Sequence, residues 1–175
     1  MYMENTIAEM LIKRKAIVFG EFSSPNGVTA DYIINMKSVI THPASLSLIA
    51  HKIIQEFDFD TVASVVISGL PIATTIAMIA NKPLAIIRKI PADHNLKEAV
   101  IGDVKGENVL LIEDVTSKGE SALYGVKALR ASGAMSNRVV TIINKEQGAE
   151  QLLKLNDIRL YALSTVKDLK RLALS

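Results

Sequence analysis

Between Val109 and Ser121 the chain reads V-L-L-I-E-D-V-T-S-K-G-E-S, joining two adjacent carboxylates to a short loop of hydroxyls, a lysine and a glycine. Glu113 and Asp114 can accept hydrogen bonds from the hydroxyls of a sugar. The apolar run Val109–Ile112 predicts a strand, and Ala122–Leu129 carries on as a helix. The loop Val115–Ser121 therefore meets a helix start, where unpaired N–H groups and the helix dipole favour a phosphate. Together these residues predict a pocket for a sugar phosphate. Acids at strand ends also serve as helix caps, and spacing alone does not choose between the two. The whole pattern of strand, E-D-V-T-S-K-G-E-S and helix favours the pocket.

Other polar residues become informative only once placed on elements. Arg88 and Lys89 end a short apolar run, Leu84–Ile87, and taken alone are a solvated strand end. His94 lies between Asp93 and Asn95 in the polar stretch Ile90–Gly106, which is the best candidate for a mobile loop. Met36 and Met78 lie on apolar segments and read as core filler.

The elements that must position these residues follow a consistent pattern. Glu4–Lys15 reads as an amphipathic helix with Ile7, Met10 and Leu11 on one face. Ala16–Phe22 and Thr29–Met36 read as strands of a hairpin turning through Ser23–Gly27. Thr41 is expected to cap a helix over Pro43–Phe57. Strands over Val62–Ile67, Leu84–Arg88, Val109–Ile112, Val139–Ile143 and Leu160–Leu163 then alternate with helices over 71–80, 121–132, 148–155 and 165–174. Near-continuous apolar strands alternating with helices predict an α/β fold with a mostly parallel central sheet flanked by helices. In such sheets ligands bind beyond the carboxyl ends of the strands, where Glu113 and Asp114 are expected.

The 175 residues, 49% of them apolar, suit one domain burying roughly 70% of its unfolded surface. Residues 1–40 would form an N-terminal helix and hood, and 41–175 the core. With no cysteine, disulfides and thiolate metal sites are excluded. A net charge of +2 without a basic–aromatic cluster gives no sign of a nucleic-acid partner. The stretch Thr61–Asn81 is uncharged and long enough to span a bilayer, but Ser68-Gly69-Leu70-Pro71 divides it into a buried strand and a helix, so no membrane span is expected. Acids near the N-terminus argue against a signal peptide, and the expected location is cytoplasmic.

Val109–Ser121 closely resembles the phosphoribosyl pyrophosphate (PRPP) motif of the type I phosphoribosyltransferases. Phe19-Gly20-Glu21-Phe22 and Asp31-Tyr32-Ile33-Ile34-Asn35 resemble the hood of the orotate branch, and His42-Pro43 and Leu84–Lys89 match further parts of it. The resemblance implies transfer of ribose 5-phosphate from PRPP to a nucleobase, orotate being favoured, with Mg²⁺ held mainly by PRPP and no direct protein ligation. It implies that Glu113 and Asp114 hold the ribose and support its developing charge, with His94 also catalytic. It further implies that Val115, Thr116, Ser117, Lys118, Gly119, Glu120 and Ser121 cradle the 5′-phosphate. Arg88, Lys89 and His94 would reach the pyrophosphate, and Ser117 and Lys145 the base. A homodimer is implied, with loop 90–106 reaching the neighbouring site.

The pattern departs from the family in its cations. Ala92 occupies the place of a loop lysine, no lysine stands near Pro25, only Ser68-Gly69-Leu70 precedes Pro71, and Lys145 stands where an arginine clamps the base. A lysine keeps the charge but not the bidentate fork. Transfer to another base, and a non-catalytic homologue binding PRPP or nucleotide, are the alternatives.

Overall fold

In the computed structural model, which describes residues 6–23, 27, 29–89 and 95–174, the first helix is set by its cap. The Thr6 hydroxyl accepts from the Glu9 N–H and the Glu9 carboxylate accepts from the Thr6 N–H, opening α1 (Ile7–Lys13). Ile7, Met10 and Leu11 form its buried face, as their spacing predicts. β1 (Ile17–Ser23) and β2 (Thr29–Ile34) pair antiparallel as the expected hairpin. Its turn residues 24–26 and 28 lie outside the described residues.

A four-residue helix, α2 (Lys37–Ile40), precedes α3 (Pro43–Glu56). Thr41 does not cap α3. It ends α2, with its hydroxyl donating to the Lys37 carbonyl at 2.7 Å, and His42 takes the N-cap position without a side-chain cap bond. Pro43 in the first turn forces this boundary, because it favours extended backbone at the preceding residue.

The core sheet holds β3 (Thr61–Val65), β4 (Leu84–Ile87), β5 (Val100–Ile101), β6 (Asn108–Thr116), β7 (Met135–Asn144) and β8 (Arg159–Thr165), in the order β5-β4-β3-β6-β7-β8. All its pairs are parallel except β4–β5. Crossover helices α4 (Leu70–Ala80), α5 (Glu120–Ala131) and α6 (Ala149–Lys154) connect the parallel strands, and α7 (Val166–Ala173) closes the chain. Among the described residues no helix is long and apolar enough to cross a membrane. Every residue of β3 is buried, which is what a central strand covered on both faces requires.

Side-chain alternation along β6 divides the core. Leu110 and Ile112 pack into the layer with α1, α3 and α4, whereas Val109 and Leu111 pack into the layer with α5. Gly125 lets α5 lie close on the sheet, since a Cβ there would stand 2.9 Å from Val65 and 3.0 Å from Leu111. Met36 joins the core as expected, but Met78 does not: it is 77% exposed on α4. The expected loop over 90–106 is also shorter. Residues 90–94 lie outside the described ones, while Leu96–Ala99 form a 3-10 turn and Val100–Ile101 pair with β4.

Candidate active site

β6 is longer than its apolar run suggests. It continues through Glu113 and Asp114 to Thr116, in register with β7 as far as Asn144. The two carboxylates therefore lie inside the strand near its carboxyl end rather than beyond it, and both are buried. Parallel pairing to β7 supplies the backbone bonds that carry the strand on, a non-local cause that the local polarity hides.

Alternation sends the two acids to opposite faces. Asp114 continues the α4 side and accepts a hydrogen bond from the Ser68 hydroxyl at 3.0 Å, from the turn that starts α4. Glu113 continues the α5 side, near Ser121 in the first turn of that helix. Burial pushes the Glu113 carboxyl up to about 7, opposed by a hydrogen bond from Ser121, raised further by the Asp114 charge and lowered by Lys89. Its Oε1 is buried without a partner, as is the Thr116 hydroxyl. Orphaned polar atoms in a cleft mark a place built for a ligand.

Residues 117–119 turn the chain into α5. Gly119 has φ +85°, and a Cβ there would stand 3.1 Å from Ala149, so the position demands glycine. Gly119 is also the N-cap and gives no side-chain cap bond, so the first N–H groups of α5 are left for a ligand. A cavity of about 330 Å³ opens here, lined by Glu113, Val115, Thr116, Ser117, Lys118, Gly119, Glu120, Ser121 and Ala122. The predicted phosphate loop and Glu113 thus share one pocket, which Asp114 does not line.

The remaining candidates divide. Lys89 is exposed and close enough to favour ionised Glu113. Arg88 turns away: its guanidinium donates to the Glu98 carbonyl at 2.9 Å, its N–H donates to the Ala99 carbonyl, and its own carbonyl accepts from the Tyr124 hydroxyl. It is tied to the segment Glu98–Ala99 that precedes β5, and His94 lies outside the described residues. The Ser117 hydroxyl donates to Gln147 Oε1, linking the phosphate loop to the turn after β7. Lys145 begins that turn, its N–H donating to the Thr116 carbonyl at 2.8 Å and its ammonium standing 5.7 Å from the Tyr32 ring centroid.

The sequence reading named Ser68 in the turn before Pro71 and Tyr32 in the hood resemblance without giving either a role at the site, and it missed Gln147. Gln147 carries no local signal, because its place depends on strands far apart in the chain.

Comparison with known proteins decides the family. The phosphoribosyl transferase domain matches residues 35–159. The orotate phosphoribosyltransferase of Methanocorpusculum labreanum is 42% identical over 167 residues, covering 95% of this chain and 99% of that one. This chain belongs to the orotate phosphoribosyltransferase family. The shared fold extends to solved members: the Mycobacterium tuberculosis orotate phosphoribosyltransferase in complex with Fe(III) dicitrate matches with a TM-score of 0.79 and 25% identity, covering 93% of this chain and 96% of that one. UMP synthase of Leishmania donovani matches with a TM-score of 0.78 and 27% identity over 95% of this chain, which spans only 37% of that longer protein. The matched span 35–159 contains the β6–α5 pocket and Lys145, whereas the hairpin that reaches Lys145 precedes it.

Proposed function

We propose that this protein is an orotate phosphoribosyltransferase, converting orotate and PRPP to orotidine 5′-phosphate and pyrophosphate in pyrimidine biosynthesis. The pocket running from Glu113 to Ala122 carries the reading, because it unites the buried Glu113 carboxylate with N–H groups at a helix start that no side chain caps. In the reaction the base nitrogen bonds to C1 of the ribose as the C1–O bond to pyrophosphate breaks.

The backbone N–H groups at the start of α5 bind the 5′-phosphate, aided by the hydroxyls of Thr116 and Ser121. Asp114, oriented by Ser68, and Glu113 accept the ribose hydroxyls, and their negative charge favours the positive charge developing on the ring. Lys89 serves the pyrophosphate and Lys145 the base; a role for His94 at the pyrophosphate rests on the family resemblance alone. Lys118, exposed in the phosphate loop, adds a cation in a site otherwise thin in them. Arg88 holds Glu98 and Ala99 and reaches pyrophosphate only if released from Glu98.

Among the described residues no cluster of three or more metal-ligating side chains is present. Mg²⁺ commonly keeps substrate phosphates as its main ligands, and Glu113 and Asp114, on opposite faces of β6, form no shared donor pair, which fits an ion carried by PRPP without direct protein ligation. Bound with PRPP, the ion would neutralise charge on the leaving pyrophosphate. PRPP and orotate are charged metabolites confined to the compartment that makes them, which supports a cytoplasmic location. A homodimer completes the reading, on the strength of the family resemblance.

The test is an assay of purified protein with PRPP and Mg²⁺ against orotate, uracil, hypoxanthine and adenine. Orotate alone should be consumed. Turnover of a different base would move the protein to another specificity, and tight PRPP binding without any turnover would make it a non-catalytic homologue.

A further inference from the structure

Among the described residues, the hairpin and the turn after β7 meet at a charged contact outside the phosphate pocket. Tyr32 on β2 packs against the main core cluster and against Phe19, ring centroids 6.2 Å apart at 60°, so its ring is held in place from behind. The Lys145 ammonium lies 5.7 Å from the centroid of that ring, within the range of a cation–π contact. The Lys145 backbone is fixed as well, through its bond to the Thr116 carbonyl at the end of β6. A lysine side chain is otherwise a flexible four-carbon stem carrying a point charge, with no planar fork to set its direction.

We propose that Tyr32 is a positioning residue that aims the Lys145 ammonium at the carboxylate of the incoming base. The inference rests on the reading of Lys145 as a base contact. Tyr32 does not line the pocket around Glu113, so its part is to position Lys145 rather than to react. It shortens the search of a flexible cation by giving it a fixed aromatic rest near the end of β6. The face of the ring supplies this, so the phenol hydroxyl is dispensable.

Steady-state kinetics of Tyr32→Phe, Tyr32→Leu, Lys145→Met and the Tyr32→Leu/Lys145→Met double variant test it. Tyr32→Phe should stay within about twofold of the parent. Tyr32→Leu should raise the orotate KM about 3- to 10-fold, the range of a cation–π contact, with kcat and the PRPP KM unchanged. On the Lys145→Met background, Tyr32→Leu should add nothing. An additive effect on that background overturns the proposal, as does a Tyr32→Leu loss shared equally by kcat and the PRPP KM, which marks a structural role. Failure of Tyr32→Phe also overturns it. If Lys145→Met leaves the orotate KM unchanged, the base-contact reading of Lys145 fails and this inference with it, whereas a Lys145→Met effect joined to additivity removes only the positioning role.

Discussion

A carboxylate that is only 7% exposed and raised to about 7 links stability to pH at Glu113. Its folded value lies above the 4.5 of an unperturbed glutamate, mainly because burial disfavours the charged form. The folded state therefore holds this proton more tightly, and stability falls as pH rises from about 4.5 to about 7. Glu113→Gln, neutral throughout, should be more stable than the parent at pH 8 by on the order of 3 kcal/mol, the difference vanishing near pH 4. Denaturant titrations across that range check this, and equal stabilities at pH 8 would remove the burial argument. At this scale much was legible: the residue types of Val109–Ser121 named the carboxylates and the phosphate loop. What was hidden was their division between faces, since alternation matters only once β6 is known to run on to Thr116.

At the scale of elements, the turn between β3 and α4 is pressed onto β6 where the acids begin. A Cβ at Gly69 would stand 2.5 Å from the Ser64 hydroxyl and 2.9 Å from the Ile112 carbonyl. Because the second contact is backbone, Gly69→Ala must displace the turn that carries Ser68, and with it the bond to Asp114. We expect a stability loss of about 1–3 kcal/mol, with PRPP affinity falling further than global unfolding explains. Melting curves paired with PRPP calorimetry would separate the two effects, and an alanine variant with parental affinity would contradict the placement. The alternation of apolar strands and helices was readable, since period and breakers are local. The pairing of Val100–Ile101 with β4 and the shift of the helix cap from Thr41 to His42 were not. The first depends on a strand distant in sequence, and the second on the turn of α2 that engages Thr41.

For the whole molecule, strand order decides which loops converge. β3 and β6 are neighbours although 42 residues separate their ends, so the Ser68 turn and the phosphate loop share the carboxyl edge of the sheet. The pattern predicted a parallel sheet, but nothing in it specified that order, or that the hairpin would bring Tyr32 to Lys145. The proposed homodimer is a prediction at this scale: sedimentation at micromolar concentration should give twice the mass of one chain. A monomer with full activity would contradict the expectation that loop 90–106 serves a neighbouring site. The measurement that bears most directly on the central claim compares the parent with Asp114→Asn for conversion of orotate and PRPP in the presence of Mg²⁺. The parent should form orotidine 5′-phosphate and pyrophosphate in equal amounts, and the variant should lose about 10²-fold or more in kcat/KM. Failure of the parent to consume orotate, or an unimpaired Asp114→Asn, would contradict the account.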